Sequence, residues 1–313
     1  MRILVTGAAG FLGSHLAERL VADGHEVVGL DDFSSGRWEN VAALVGADRF
    51  HLVKADVVEP LSVSPPLDRI FHLASPVSGH VERPIATLRT GAEGTRRLLD
   101  LAEAAGAVFV LASSSEVYGE PEVHPQVETD PGRVSAVGPR GSYAEAKRVA
   151  EALVTAYAGE RGVAVRIARI FNTYGPRMRP DDGRVIPTFI TRALSGEPLP
   201  VFGTGQQTRS FCYVSDMVEA LVALAGSDYT GPVNLGNPDE IRVLDLAREI
   251  LRLTGSRSPL EAAPLPSGDP ARRRPDVTLV LRTLGWRPAV SRRDGLERTI
   301  DWFREHEMNG GSA

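Results

Sequence analysis

Gly7, Gly10 and Gly13 fall as G-x-x-G-x-x-G directly after an apolar run at residues 2–6, and Leu12, Leu16, Ala17 and Leu20 follow at helical spacing. Few folds place a glycine-rich bend between a buried strand and a helix. The glycines let the chain turn tightly and leave the amides of the helix N-terminus open to an anion such as a pyrophosphate. Gly24 closes that helix, and residues 25–30 read as a second strand ending at Asp31-Asp32. A carboxylate there accepts hydrogen bonds from an adenosine ribose 2′-hydroxyl and repels a 2′-phosphate, so the spacing predicts NAD rather than NADP. Strand-like runs recur at 50–54, 69–74, 108–113 and 163–170, with helical stretches at 94–105 and 143–158 between them. Strand alternating with helix predicts an α/β chain, a doubly wound parallel sheet covered on both faces.

This alternation predicts an NAD-binding domain over residues 1–170. Beyond Phe171 proline and glycine break the pattern, and only shorter helices are expected, at 186–194, 215–225 and 244–253. Residues 171–313 therefore read mainly as a smaller, loop-rich substrate region, with segments near 211–240 returning to the first domain and 309–313 frayed. Charge excludes one class of partner: 35 bases against 40 acids give −5, without the basic surplus that nucleic-acid binding requires. The longest stretch free of Asp, Glu, Lys and Arg, residues 3–17, is too short to span a bilayer, and no signal segment is evident. With Cys212 as the one cysteine and seven scattered histidines, neither a disulfide nor a metal site is expected. The expectation is a soluble cytoplasmic protein.

Lysine is rare here: of 35 bases only Lys54 and Lys147 are lysines. Lys147 lies four residues after Tyr143, on the same side of a helix. A phenol with a pKa near ~10 is a poor base at neutral pH, but a nearby ammonium and the charge of NAD⁺ favour its phenolate. Such a tyrosine can take the proton of an alcohol while hydride leaves the same carbon. Serines 113–115 follow the strand at 108–113, at the carboxyl edge of the sheet where ligands of open α/β sheets bind.

Together these elements resemble the extended short-chain dehydrogenase/reductase family, whose members modify nucleotide-activated sugars with tightly held NAD. Within it the resemblance is to the UDP-glucuronate decarboxylase (UDP-xylose synthase) branch. It rests on Phe71-His-Leu-Ala-Ser-Pro76, Gly138-Pro-Arg140, Arg169-Ile-Phe-Asn-Thr-Tyr-Gly-Pro-Arg-Met178, Asp182-Gly-Arg-Val185 and Gln207-Thr-Arg-Ser-Phe-Cys-Tyr213. The most specific stretch is Ser115-Glu-Val-Tyr-Gly-Glu-Pro-Glu-Val-His-Pro-Gln126. The resemblance implies Tyr143, Lys147 and Ser114 as acid/base machinery, Glu116 as a proton-handling carboxylate, and Arg273 as the arginine that positions the sugar during decarboxylation. It implies Asn172, Arg184, Gln207 and Arg209 on the nucleotide-sugar. Around NAD it adds Phe11, Leu12, Asp56, Val57, Leu73 and Ala74 to the three glycines and to Asp31 and Asp32. It also implies a homodimer paired through the Tyr143 helix.

The rivals divide at two residues. The family's 4,6-dehydratases place an aspartate where Ser115 stands, and simple 4-epimerases lack the carboxylate of Glu116. A UDP-sugar 4-epimerase is therefore the alternative, and a non-catalytic NAD-binding protein would need a broken Tyr143–Lys147 pair.

Overall fold

The computed structural model describes residues 1–76, 83–137, 141–181, 183–265 and 272–306. The Gly138-Pro-Arg140 motif, Asp182 and the tail at 309–313 lie outside the described residues.

Six strands come first: β1 (Arg2–Thr6), β2 (Glu26–Asp31), β3 (Phe50–Lys54), β4 (Arg69–His72), β5 (Val108–Ser114) and β6 (Val165–Ile170). Short strands follow as β7 (Thr173–Tyr174), β8 (Leu199–Phe202), β9 (Thr208–Ser210), β10 (Cys212–Tyr213), β11 (Pro232–Leu235), β12 (Glu240–Arg242), β13 (Leu260–Ala263) and β14 (Arg272–Arg273). The helices are α1 (Phe11–Ala22), α2 (Pro84–Arg89), α3 (Thr95–Ala105), α4 (Gly141–Arg161), α5 (Val185–Ser195), α6 (Val214–Ala225), α7 (Val243–Thr254), α8 (Thr278–Leu284) and α9 (Arg292–His306).

The main sheet runs β3-β2-β1-β4-β5-β6-β11, and every pairing in it is parallel. This is the doubly wound order, with its reversal between β1 and β4. Side chains alternate across the sheet, which is why its strands are apolar on both faces. Ile3, Val5, Phe71 and Val110 pack with Leu16, Leu20, Met217 and Leu221 of α1 and α6. Leu4, Ile70, Phe109 and Leu111 pack on the opposite face with Leu98, Leu99, Val154 and Tyr157 of α3 and α4. β4 stops two residues short of the expected 69–74, because Leu73 and Ala74 turn to pass close over Gly7.

A smaller sheet stands beyond the carboxyl edge. β9 is its centre, antiparallel to β12 and parallel to β14. Its register sets Arg209 directly beside Arg273. No described helix is long and apolar enough to cross a membrane.

Candidate active site

The carboxyl ends of β1 and β4 open into a cavity of about 790 Å³ that extends to the small sheet. All twenty residues singled out from the sequence line it. At one end the Gly7 amide donates to the Leu30 carbonyl (2.8 Å) and the Gly10 amide to the Gly7 carbonyl (3.1 Å), which closes the turn. Gly7 has φ +71°, and a Cβ on Gly13 would stand 1.9 Å from the Gly7 carbonyl oxygen. No side chain caps α1. Its first amides are thus left for an anion, and the cradle suits a dinucleotide pyrophosphate. Gly13→Ala is expected to weaken NAD binding by at least about tenfold, since backbone must move to admit the methyl; nicotinamide retained at wild-type occupancy after purification would contradict this.

Asp31 has a further duty beyond the one its position suggested. Its buried carboxylate accepts the Ala9 amide (2.8 Å) and the Phe33 amide (2.9 Å), bracing the glycine turn from behind. Burial leads the forces on this carboxyl and raises its pKa, while those two amides oppose. A carboxylate has about four acceptor positions, and with the Gly10 amide also turned to Asp31, room remains for one ribose hydroxyl. Asp32 is exposed and accepts the Ser34 amide (2.9 Å) and hydroxyl (2.7 Å). Asn40, not singled out from the sequence, is buried in the same wall and donates to the Ala9 carbonyl (2.8 Å). No motif marks it; only folding brings it to the turn.

Ser114 ends β5, and its hydroxyl accepts the Glu116 amide (3.2 Å), capping the short 3₁₀ turn Ser115–Tyr118. Tyr143 stands in the first turn of α4 and Lys147 one turn on. The Lys147 ammonium donates to the Ala112 carbonyl (2.8 Å) and lies 5.8 Å from the Tyr143 ring centre. Burial pushes its pKa down to about 8, against the pull of Glu151. Burial pushes Tyr143 up to about 12; the Ser114 hydroxyl opposes, Glu116 reinforces, and Arg184 and Arg273 oppose. Desolvation thus outweighs the Arg184 and Arg273 guanidinium groups at the phenol.

Across the cavity the Arg273 guanidinium pairs with the Glu116 carboxylate at 2.8 Å. Arg273 is 6% exposed, and its Nε and Nη2 are buried without a hydrogen-bond partner. Such donors are costly to leave unsatisfied, so the site favours an incoming anion that lets them re-form bonds. Arg209, equally buried, donates to its neighbour's carbonyl on Thr208 (2.8 Å). Gln207 donates to the Phe202 carbonyl (3.0 Å), the Asn172 carbonyl accepts the Cys212 amide (2.9 Å), and Arg184 lies over the Phe11 ring at 5.8 Å. Arg177 also lines the cavity, at φ +69° and paired with Glu18 of α1 (2.6 Å). It sits in the 169–178 stretch that carries the resemblance, just after the Gly175-Pro176 turn, but was not singled out as a site residue. Among the described residues no cluster of three or more metal-ligating side chains is present.

The sequence model of the NAD dependent epimerase/dehydratase family matches residues 3–236. UDP-glucuronic acid decarboxylase 1 of Xenopus tropicalis is 50% identical over 98% of this chain and 74% of its own. UDP-glucuronic acid decarboxylase 1 of Arabidopsis thaliana is 47% identical over 99% of this chain and 71% of its own. Among solved structures, a UDP-glucuronic acid 4-epimerase from Bacillus cereus, in complex with UDP-glucuronic acid and NAD, superposes with a TM-score of 0.88. It is 28% identical, over 97% of this chain and 99% of its own.

Proposed function

The chain belongs to the NAD dependent epimerase/dehydratase family, and from that premise we propose that it decarboxylates UDP-glucuronate to UDP-xylose with NAD as bound cofactor. One observation of the site carries the reading: a buried, incompletely bonded Arg273 joined to Glu116 in the same cavity as Tyr143 and Ser114. Glu116 balances the Arg273 charge but leaves Nε and Nη2 unbonded, and the two oxygens of a uronic acid carboxylate match that remaining pair of donors.

Gly7, Gly10, Gly13 and Asp31 would hold the NAD, which when bound accepts a hydride from C4 of the sugar and later returns it. Tyr143 takes the C4 hydroxyl proton, with the Ser114 hydroxyl sharing that hydrogen bond, and keeps the proton for the return step. The resulting C4 ketone is β to the C6 carboxylate. The C5–C6 bond can then break with its electrons passing into an enolate, and carbon dioxide leaves. Arg273 holds the carboxylate until that bond breaks, and Glu116 handles the proton that closes C5. The sum is one carbon dioxide lost and one proton gained. Asn172, Arg184, Gln207 and Arg209 hold the nucleotide-sugar.

A 4-epimerase acting on the same uronic acid would share the steps up to the ketone and would also hold the carboxylate, but it would need no proton delivered to C5 by Glu116. Incubation with UDP-glucuronate separates the two. Carbon dioxide and UDP-xylose are expected by gas capture and NMR, and UDP-galacturonate as the main product would turn the assignment to the epimerase.

The proposal extends to assembly and place. Residues 1–170 serve NAD, with the returning segments near 211–240, and residues 171–313 mainly serve the nucleotide-sugar. A homodimer forms through α4: Val149 is exposed on it, and Ile85 and Leu88 are exposed on α2, which packs beside it. Sedimentation should return twice the chain mass, and a monomer would refute the pairing. The compartment is the cytoplasm, which suits a chain whose one cysteine is buried.

A further inference from the structure

The Glu116–Gln126 stretch is the most specific in the sequence, yet the chemistry above uses only its first residue. Gln126, at its other end, is 1% exposed. Its amide donates to the Arg274 carbonyl (2.9 Å), and its side-chain Oε1 accepts the Arg274 amide (2.8 Å). Its own carbonyl accepts the Asp276 amide (2.8 Å). One residue thus holds the backbone on both sides of Pro275, immediately after Arg273. That matters because β14 is only two residues long and pairs with β9 alone. His124, two residues earlier, reaches Glu240 of β12 at 3.2 Å, on the opposite edge of the same three-stranded sheet.

The other face of Gln126 is tied to the base of the site. Its carbonyl also accepts the Asn234 side-chain amide (2.9 Å), and Asn234 Oδ1 accepts the Tyr118 hydroxyl (2.6 Å). The Tyr118 oxygen in turn accepts from Arg169 (3.0 Å), whose guanidinium grips Glu151 with two bonds of 3.0 and 2.8 Å. Glu151 lies one turn beyond Lys147 on α4. Every member is a short bond between buried or half-buried groups, so the chain has little freedom to shift.

We propose that Gln126 is a positioning residue: by clamping the backbone at Arg274 and Asp276 to Asn234, it fixes the Arg273 guanidinium at the height where the sugar carboxylate of a uronic acid nucleotide is received. The proposal rests on the decarboxylase reading. Its distinctive consequence is selectivity. Loosening the clamp harms recognition of the carboxylate and spares recognition of the nucleotide, whereas a general loss of structure harms both.

The test compares wild type with Gln126→Met, which loses the Oε1 acceptor, and Gln126→Glu, which keeps an oxygen there. Carbon dioxide release from UDP-glucuronate by wild type is measured first, and its absence would overturn the parent reading rather than the clamp. Given that activity, Gln126→Met is expected to lower kcat/KM for UDP-glucuronate about tenfold, chiefly through KM. The Kd of UDP alone should stay within about twofold, and Gln126→Glu should restore most of the loss. If Gln126→Met does not fold, Gln126→Asn, which draws the oxygen back by one methylene, should show the same selective loss. Unchanged kcat/KM, or equal losses toward UDP and UDP-glucuronate, would overturn the proposal.

Discussion

Tyr143→Phe is expected to lower turnover of UDP-glucuronate by about three orders of magnitude while NAD stays bound. The ring still fills its place in the first turn of α4, and only the proton-carrying oxygen is removed. No other described phenol offers a substitute: of the cavity's lining residues only Tyr174 is also a tyrosine, and its hydroxyl already donates to the Arg292 carbonyl (3.0 Å). The pH dependence has a definite sign. Burial pushes the phenol up to about 12, which favours its protonated form at neutral pH, and the positive charge of bound NAD⁺ would favour the base. The wild-type rate should accordingly rise with pH through the pKa of the base. Whatever activity Tyr143→Phe retains should lack that rise; a rising limb that survives the substitution would assign the base elsewhere.

Arg273→Met should be nearly as severe and differ in kind. Removing one partner of a buried ion pair generally costs about 30-fold or more, and with the guanidinium that faces Glu116 gone a loss of about a hundredfold in kcat/KM for UDP-glucuronate is expected. Arg273 bears on the oxidation at C4 only through the smallest of the influences on the Tyr143 phenol, so that step should suffer less than decarboxylation. Reduced nicotinamide, followed by its absorbance, should therefore still form after substrate is added, while carbon dioxide release falls. UDP affinity should change little, because Arg184, Gln207 and Arg209 remain. Gas release at the wild-type rate would remove Arg273 from the decarboxylation step. The Gln126 variants should show a weaker form of the same pattern.

The glycine spacing, the acid after β2 and the strand–helix alternation were all legible along the chain, because each depends on neighbours a few residues apart. So was the pairing of Tyr143 with Lys147, which a helix brings to one face at four-residue spacing. The central strands emerged close to their expected bounds for the same reason: a sheet buried on both faces must be apolar along each strand. What spacing cannot encode is separation closed by topology. Asn40 meets the glycine turn across 31 residues, Arg273 meets Glu116 across 157, and Gln126 meets Arg274 over 148. The phenol's acidity belongs to the same class. The sequence points to an ammonium and the charge of NAD⁺ as favouring the phenolate, and only the folded chain shows burial of Tyr143 working against them. Sequence alone determined which groups the chain carries and which local elements present them. Tertiary structure decided which charges face each other and how much water reaches them, since both depend on chain segments that meet only on folding.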